Sequence, residues 1–170
     1  STGNTPCFYN HFVTDREEPF DQPGTPEEPK GHYIFDKPEP LWNFGHGKSY
    51  TTFDYVDCAL SDTLLAASDT LKVSVMIKNT GRCDGKEVVQ LYVRDKVSTV
   101  ATPIQQLKAF QKVLVKSGES QCVELSLPIA ELALYNAKME EVVEPGDFEI
   151  QIGAASDDIR FKKTITINRK

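Results

Sequence analysis

A strict alternation of apolar and polar residues limits this chain to a narrow set of folds. In the stretch 70–80, "TLKVSVMIKNT", Leu71, Val73, Val75 and Ile77 alternate with Lys72, Ser74, Met76 and Lys78. A period of two puts one set of side chains on the buried face of a strand and the other set on its opposite face. The stretch 86–95, "KEVVQLYVRD", follows with Val89, Leu91 and Val93 on one side. Between the two, "NTGRCDG" supplies Gly81 and Gly85 for positive-φ turn conformations, which predicts a hairpin-like connection. Five more strands are predicted at 53–60, 107–115, 122–127, 147–153 and 160–167, punctuated by "KSGES" at 116–120 and "EPGD" at 144–147. One helical candidate, "PIAELALYN" at 128–136, has Pro128 suited to a first turn but is too short to cover a sheet. About seven short strands spaced near ten residues, with almost no helix, predict an all-β fold, a two-sheet sandwich of immunoglobulin or fibronectin type III-like form.

Before the first strand the composition changes. Seven of the ten prolines and all three histidines fall within the first 46 residues. Residues 15–30, "DREEPFDQPGTPEEPK", combine prolines and acids with few apolar anchors, the mark of an extended segment that buries no core. The chain therefore divides into a leader and linker, 1–52, and a sandwich, 53–170. A formal charge of −6 argues against nucleic acid or an anionic membrane as partner, since both call for a basic face. No apolar run approaches the roughly 18 residues of a membrane helix. Because the sequence opens with Ser1 rather than Met, it is expected to be a processed or excised piece of a longer protein.

"GHGKS" at 45–49 ends like a phosphate loop, G-x-x-x-x-G-K-[ST], but Trp42 occupies the first glycine position and the following "TTFDYV" favours a strand over a helix. Cys7, Cys58, Cys83 and Cys122 form no C-x-x-C pair, and their spacing supports neither a zinc site nor a disulfide framework. His11, His32 and His46 lack metal-ligand spacing. Glu140, Glu141 and Glu144 precede a Pro-Gly turn and read as a solvated edge rather than an acid–base pair held across a substrate. Asp157-Asp158 lacks a calcium-loop context and reads as a turn, and no G-x-S-x-G elbow occurs. No catalytic, cofactor or metal residue is predicted. Tyr33, Phe35, Trp42, Phe44 and Tyr50 cluster ahead of the first strand. They are read as anchors against a neighbouring domain, with a sugar-stacking platform as the rival reading.

In "STGNTPCFYNH", "PLWNFGHGKSYTTFDY", "NTGRCDGKEVVQLYVRD", "LKAFQKVLVKSGES" and "VVEPGDFEIQIGAASDDIR", taken in order, the chain resembles the C-terminal end of glycoside hydrolase family 3 enzymes of β-glucosidase and β-xylosidase type. The resemblance implies a fibronectin type III-like domain without catalytic residues, because the family's aspartate nucleophile and usual acid/base lie upstream. Residues 1–12 resemble the last strand and exit segment of the preceding α/β domain. "GHGKS" matches the family's FGHGLSYT segment, in which Gly45 and Gly47 would permit a tight turn around His46. Lys48 stands where that pattern usually has leucine, and its stem could still lie on an apolar surface. The expected role is accessory, with Trp42, Phe44, Gly45, His46, Gly47 and Tyr50 docking the sandwich on the catalytic domains of the same polypeptide. The alternative is a module binding an oligo- or polysaccharide, and a stand-alone glycosidase is the third reading. Export to the periplasm or the cell exterior is expected from the resemblance alone.

Overall fold

The computed structural model describes residues 8–12, 25–27 and 40–168. Its strands are β1 (Phe53–Leu60), β2 (Leu64–Leu65), β3 (Thr70–Asn79), β4 (Gly85–Asp95), β5 (Gln106–Val115), β6 (Ser120–Pro128), β7 (Leu134–Tyr135), β8 (Glu141–Val142), β9 (Gly146–Gly153) and β10 (Ile159–Ile167). All seven predicted strands are present, and the added ones, β2, β7 and β8, have two residues each and so carry no readable period. A three-stranded sheet, β1-β3-β6, faces a five-stranded sheet, β2-β10-β9-β4-β5, and β7-β8 forms a small hairpin. β10 lies between β2, which it pairs in parallel through Thr166 and Ile167, and β9, which it pairs antiparallel.

The alternation becomes the core. Leu71, Val73, Val75 and Ile77 of β3 are fully buried, as are Val89 and Leu91 of β4, and they meet Val123, Leu125 and Leu127 of β6 and Ile150 and Ile152 of β9. Each such side chain contributes about 1.5–3 kcal/mol through removal from water.

Two expectations are corrected. The 80–84 connection is not a hairpin: β3 pairs with β1 and β6, whereas β4 pairs with β5 and β9, so the chain crosses from one sheet to the other. Alternation fixes which face is buried but not which strand lies alongside. Asn79, fully buried at this crossing, fixes the path instead. Its Oδ1 accepts from Thr51 Oγ1 at 2.5 Å and Gly81 N at 3.0 Å, and its Nδ2 donates to Cys83 O and Val115 O, each at 2.9 Å. All the bonds a buried amide needs are thus made to the 81–83 turn, to Thr51 ahead of β1 and to the end of β5.

The second correction concerns the helical candidate, which is a short 3-10 turn, Ile129–Leu132, followed by β7. Pro128 is extended (φ −61°, ψ 126°) and no side chain caps the turn. A 3-10 turn aligns residues three apart, so Ile129 and Leu132 both reach the core while the chain reverts to strand.

β4 also departs from a half-buried strand. Besides the predicted Val89, Leu91 and Val93, its opposite residues Gln90 and Tyr92 are buried, so something covers the outer face of the five-stranded sheet.

Candidate docking surface

The cover is the leader. Gln90, 3% exposed, ties it to the sheet: Nε2 donates to Gly45 O of the leader (3.1 Å) and to Ala154 O in the turn after β9 (2.5 Å), while Oε1 accepts from the Tyr92 hydroxyl at 2.5 Å. Burial pushes the Tyr92 hydroxyl pKa up, which keeps that proton in place as a donor. Ser156 N donates to Phe44 O at 2.9 Å, and Asn43 Nδ2 donates to Asp157 Oδ2 at 2.6 Å. His46 N closes a turn on Asn43 O at 3.0 Å. Its third residue, Gly45, has φ 81°, and a Cβ there would lie 2.2 Å from Gln90 Oε1. Both the left-handed backbone and the close approach therefore select glycine.

Aromatic rings complete the attachment. Phe44 stacks on Tyr9 with centroids 4.0 Å apart and 12° between planes, and Tyr9 meets Tyr92 edge-on at 6.0 Å. The Tyr9 hydroxyl accepts from Leu107 N at 3.2 Å, and His11 O accepts from Ile104 N at 2.9 Å. Farther out, Trp42 lies against the His46 ring at 4.7 Å, and Lys48 Nζ sits 5.0 Å from the indole centroid. The lysine that replaces the pattern's leucine thus keeps a contact, as a cation on an aromatic face. Leu41, Trp42 and Phe44 remain substantially exposed, with Trp42 at 58%.

The structure brings Trp42, Phe44, Gly45 and His46 together but treats two other predicted residues differently. Gly47 has no positive φ, and a Cβ there would meet nothing within 4 Å, so the turn around His46 does not require it. The Tyr50 ring stands fully in solvent, and its backbone carbonyl accepts from Cys83 Sγ at 3.2 Å. Tyr9, Asn43, Gln90 and Tyr92 were missed, although the unbroken run "VVQLYV" is the pattern of a strand buried on both faces. His32, Tyr33, Phe35, Cys7 and residues 1–7 of the exit segment lie outside the described residues, as does most of 15–30.

Elsewhere, polar groups are committed to architecture. Glu144 accepts from Thr99 N, Thr99 Oγ1 and Ser98 Oγ, and the Thr99 bonds hold its carboxyl below its ordinary pKa. Glu140 accepts from Asn136 Nδ2, and Glu141 is exposed on β8. Asp158 pairs with Arg160 at 2.6 Å beside the 154–158 turn. Tyr55 Oη of β1 donates to Glu87 Oε1 of β4 at 2.9 Å, tying the two sheets, and burial raises the pKa of both groups. Cys58, Cys83 and Cys122 are free thiols. Among the described residues no group of three or more His, Cys, Asp or Glu could hold a metal ion, and no helix is long and apolar enough to cross a membrane.

A family model described as a fibronectin type III-like domain matches residues 87–156, which include Gln90, Tyr92 and Ser156. A β-xylosidase of Formosa agariphila is 43% identical over 143 residues, covering 83% of this chain and 19% of the relative. A periplasmic β-glucosidase of Salmonella typhimurium is 34% identical over 163 residues, covering 94% and 20%. Among solved structures, a β-glucosidase from Listeria innocua in complex with glucose matches with a TM-score of 0.77 at 32% identity, covering 96% of this chain and 22% of that one. The chain spans about a fifth of the length of these relatives. Both the sandwich fold and the family resemblance read from the motifs are borne out.

Proposed function

We infer that this chain, which carries the fibronectin type III-like domain of family 3 β-glucosidases and β-xylosidases, is a non-catalytic accessory domain that docks on the catalytic domains of its own polypeptide. One observation carries the reading. The leader 41–46 is fastened to the outer sheet face by Gln90, Ser156 and Asp157, yet it leaves Leu41, Trp42 and Phe44 exposed. A segment fixed at such a cost in ordering, with apolar side chains still facing outward, fits an interface between domains. The mechanism is mechanical: burial of the shared surface stabilises the catalytic domains. The parent would be a glycosidase, and export to the periplasm or exterior is the corresponding location.

A sugar platform fits less well. Stacking on a pyranose uses an open ring face, whereas Tyr9 covers a face of Phe44, and His46 and Lys48 crowd the Trp42 ring. Gel mobility retarded by soluble glucan or xylan, and lost on Trp42→Ala, would favour the platform instead. Docking is tested in the intact polypeptide. Trp42→Ala and His46→Ala should each lower its melting temperature, and unchanged melting for both defeats the reading.

A further inference from the structure

Resting on the docking reading above, we propose that the docked surface continues from the leader onto the outer face of β4 and β5. There Phe110 and Leu114, set among Lys86 and Lys112, receive an apolar patch rimmed by carboxylates on the remainder of the same polypeptide. β5 is an edge strand of the five-stranded sheet. Its inward residues Val113 and Val115 are buried, whereas its outward Phe110 and Leu114 are 66% and 53% exposed. In the β4–β5 register Phe110 lies opposite Gln90, Lys112 opposite Val88, and Leu114 opposite Lys86.

Three observations identify the occupant. The first is continuity, since Phe110 stands beside Gln90, the residue that holds Gly45 of the leader. The second is charge. The stretch 105–116, "QQLKAFQKVLVK", carries three lysines and no acid in a chain of net charge −6. Lys108 turns aside to donate to Glu131 O at 2.7 Å, whereas Lys112 and Lys86 stand exposed on the outer face and Lys116 is exposed just beyond β5. Lysines blunt an edge strand against pairing with other strands, and a second copy of β5 would bring like charges together. A carboxylate-rimmed surface meets no such penalty. The third is length, because about four-fifths of each relative lies outside the region this chain matches. A tethered partner of that size is present at high effective concentration.

The test uses the intact polypeptide. Hydroxyl-radical footprinting should label Phe110 and Leu114 several-fold more slowly than in the urea-unfolded polypeptide, to a degree their partial exposure in this domain does not explain. Labelling comparable to the unfolded state overturns the proposal. Lys86→Glu with Lys112→Glu should restore labelling of Phe110, and unchanged protection refutes the carboxylate rim. Because both apolar residues are exposed, Phe110→Ser with Leu114→Ser is expected to fold and to lower the melting temperature. If Trp42→Ala lowers melting and this double variant does not, the extension fails while docking stands. If Trp42→Ala, His46→Ala and the double variant all leave melting unchanged, both fail. Protection that vanishes on dilution, together with a dimeric mass, assigns the surface to a second copy and rejects the proposal.

Discussion

β4 is buried on both faces by different means. Its inner face sets Val89 and Leu91 against the opposing sheet, where many apolar contacts share the load and no single direction matters. Its outer face sets Gln90 and Tyr92 against a loop, held by hydrogen bonds that must end on particular atoms. The inner face supplies stability, and the outer face fixes where the leader goes.

Substitutions can break that contrast. Leu91→Ala should cost about 2–5 kcal/mol in urea unfolding of the domain, since it opens a cavity in a close-packed layer. The leader should stay attached, so that Trp42 emission in folded protein is unchanged. Gln90→Ala should cost less, about 1–3 kcal/mol, because Gly45 O, Ala154 O and the Tyr92 hydroxyl lose their partner. Here the leader should come loose and become sensitive to protease near 41–50. Equal protection of that segment in both variants would erase the distinction.

Glu87 sharpens it at the sheet junction. Burial raises its folded-state pKa, so its contribution is stabilising at low pH and is lost as pH rises through that value. Glu87→Gln keeps an acceptor for Tyr55 without the buried charge. Its melting temperature should exceed the parent's at pH 7 and match it in acid, as read by thermal scans across pH. Lys48→Ala should have the smallest effect, within about 1 kcal/mol, as expected for an exposed cation over an aromatic ring.

The inner face was legible because one local period encodes it, and Leu71 through Ile77 announce their burial without reference to any other segment. The outer face was not, because Gln90 takes its partner from Gly45, 45 positions away in sequence, and no local pattern reports such a pairing. Asn79 was opaque for the same reason, as its amide reaches Thr51 and Val115. In the docking segment, Trp42, Phe44 and His46 were found through aromatic content and family motif. Gly47 was chosen for the turn around His46 and Tyr50 for its ring, and the geometry sets both apart from the other four.

The place of β10 bears on how the domain is made. Seven strands intervene between β2 and β10, yet those two are neighbours, with β10 also closing against β9. During synthesis β2 waits without a sheet partner, and β9 emerges with one edge open, until residues 159–167 leave the ribosome. The five-stranded sheet is therefore among the last structures of this chain to form. A ribosome stalled shortly before Ile159 would display an unguarded strand edge to every other nascent chain nearby.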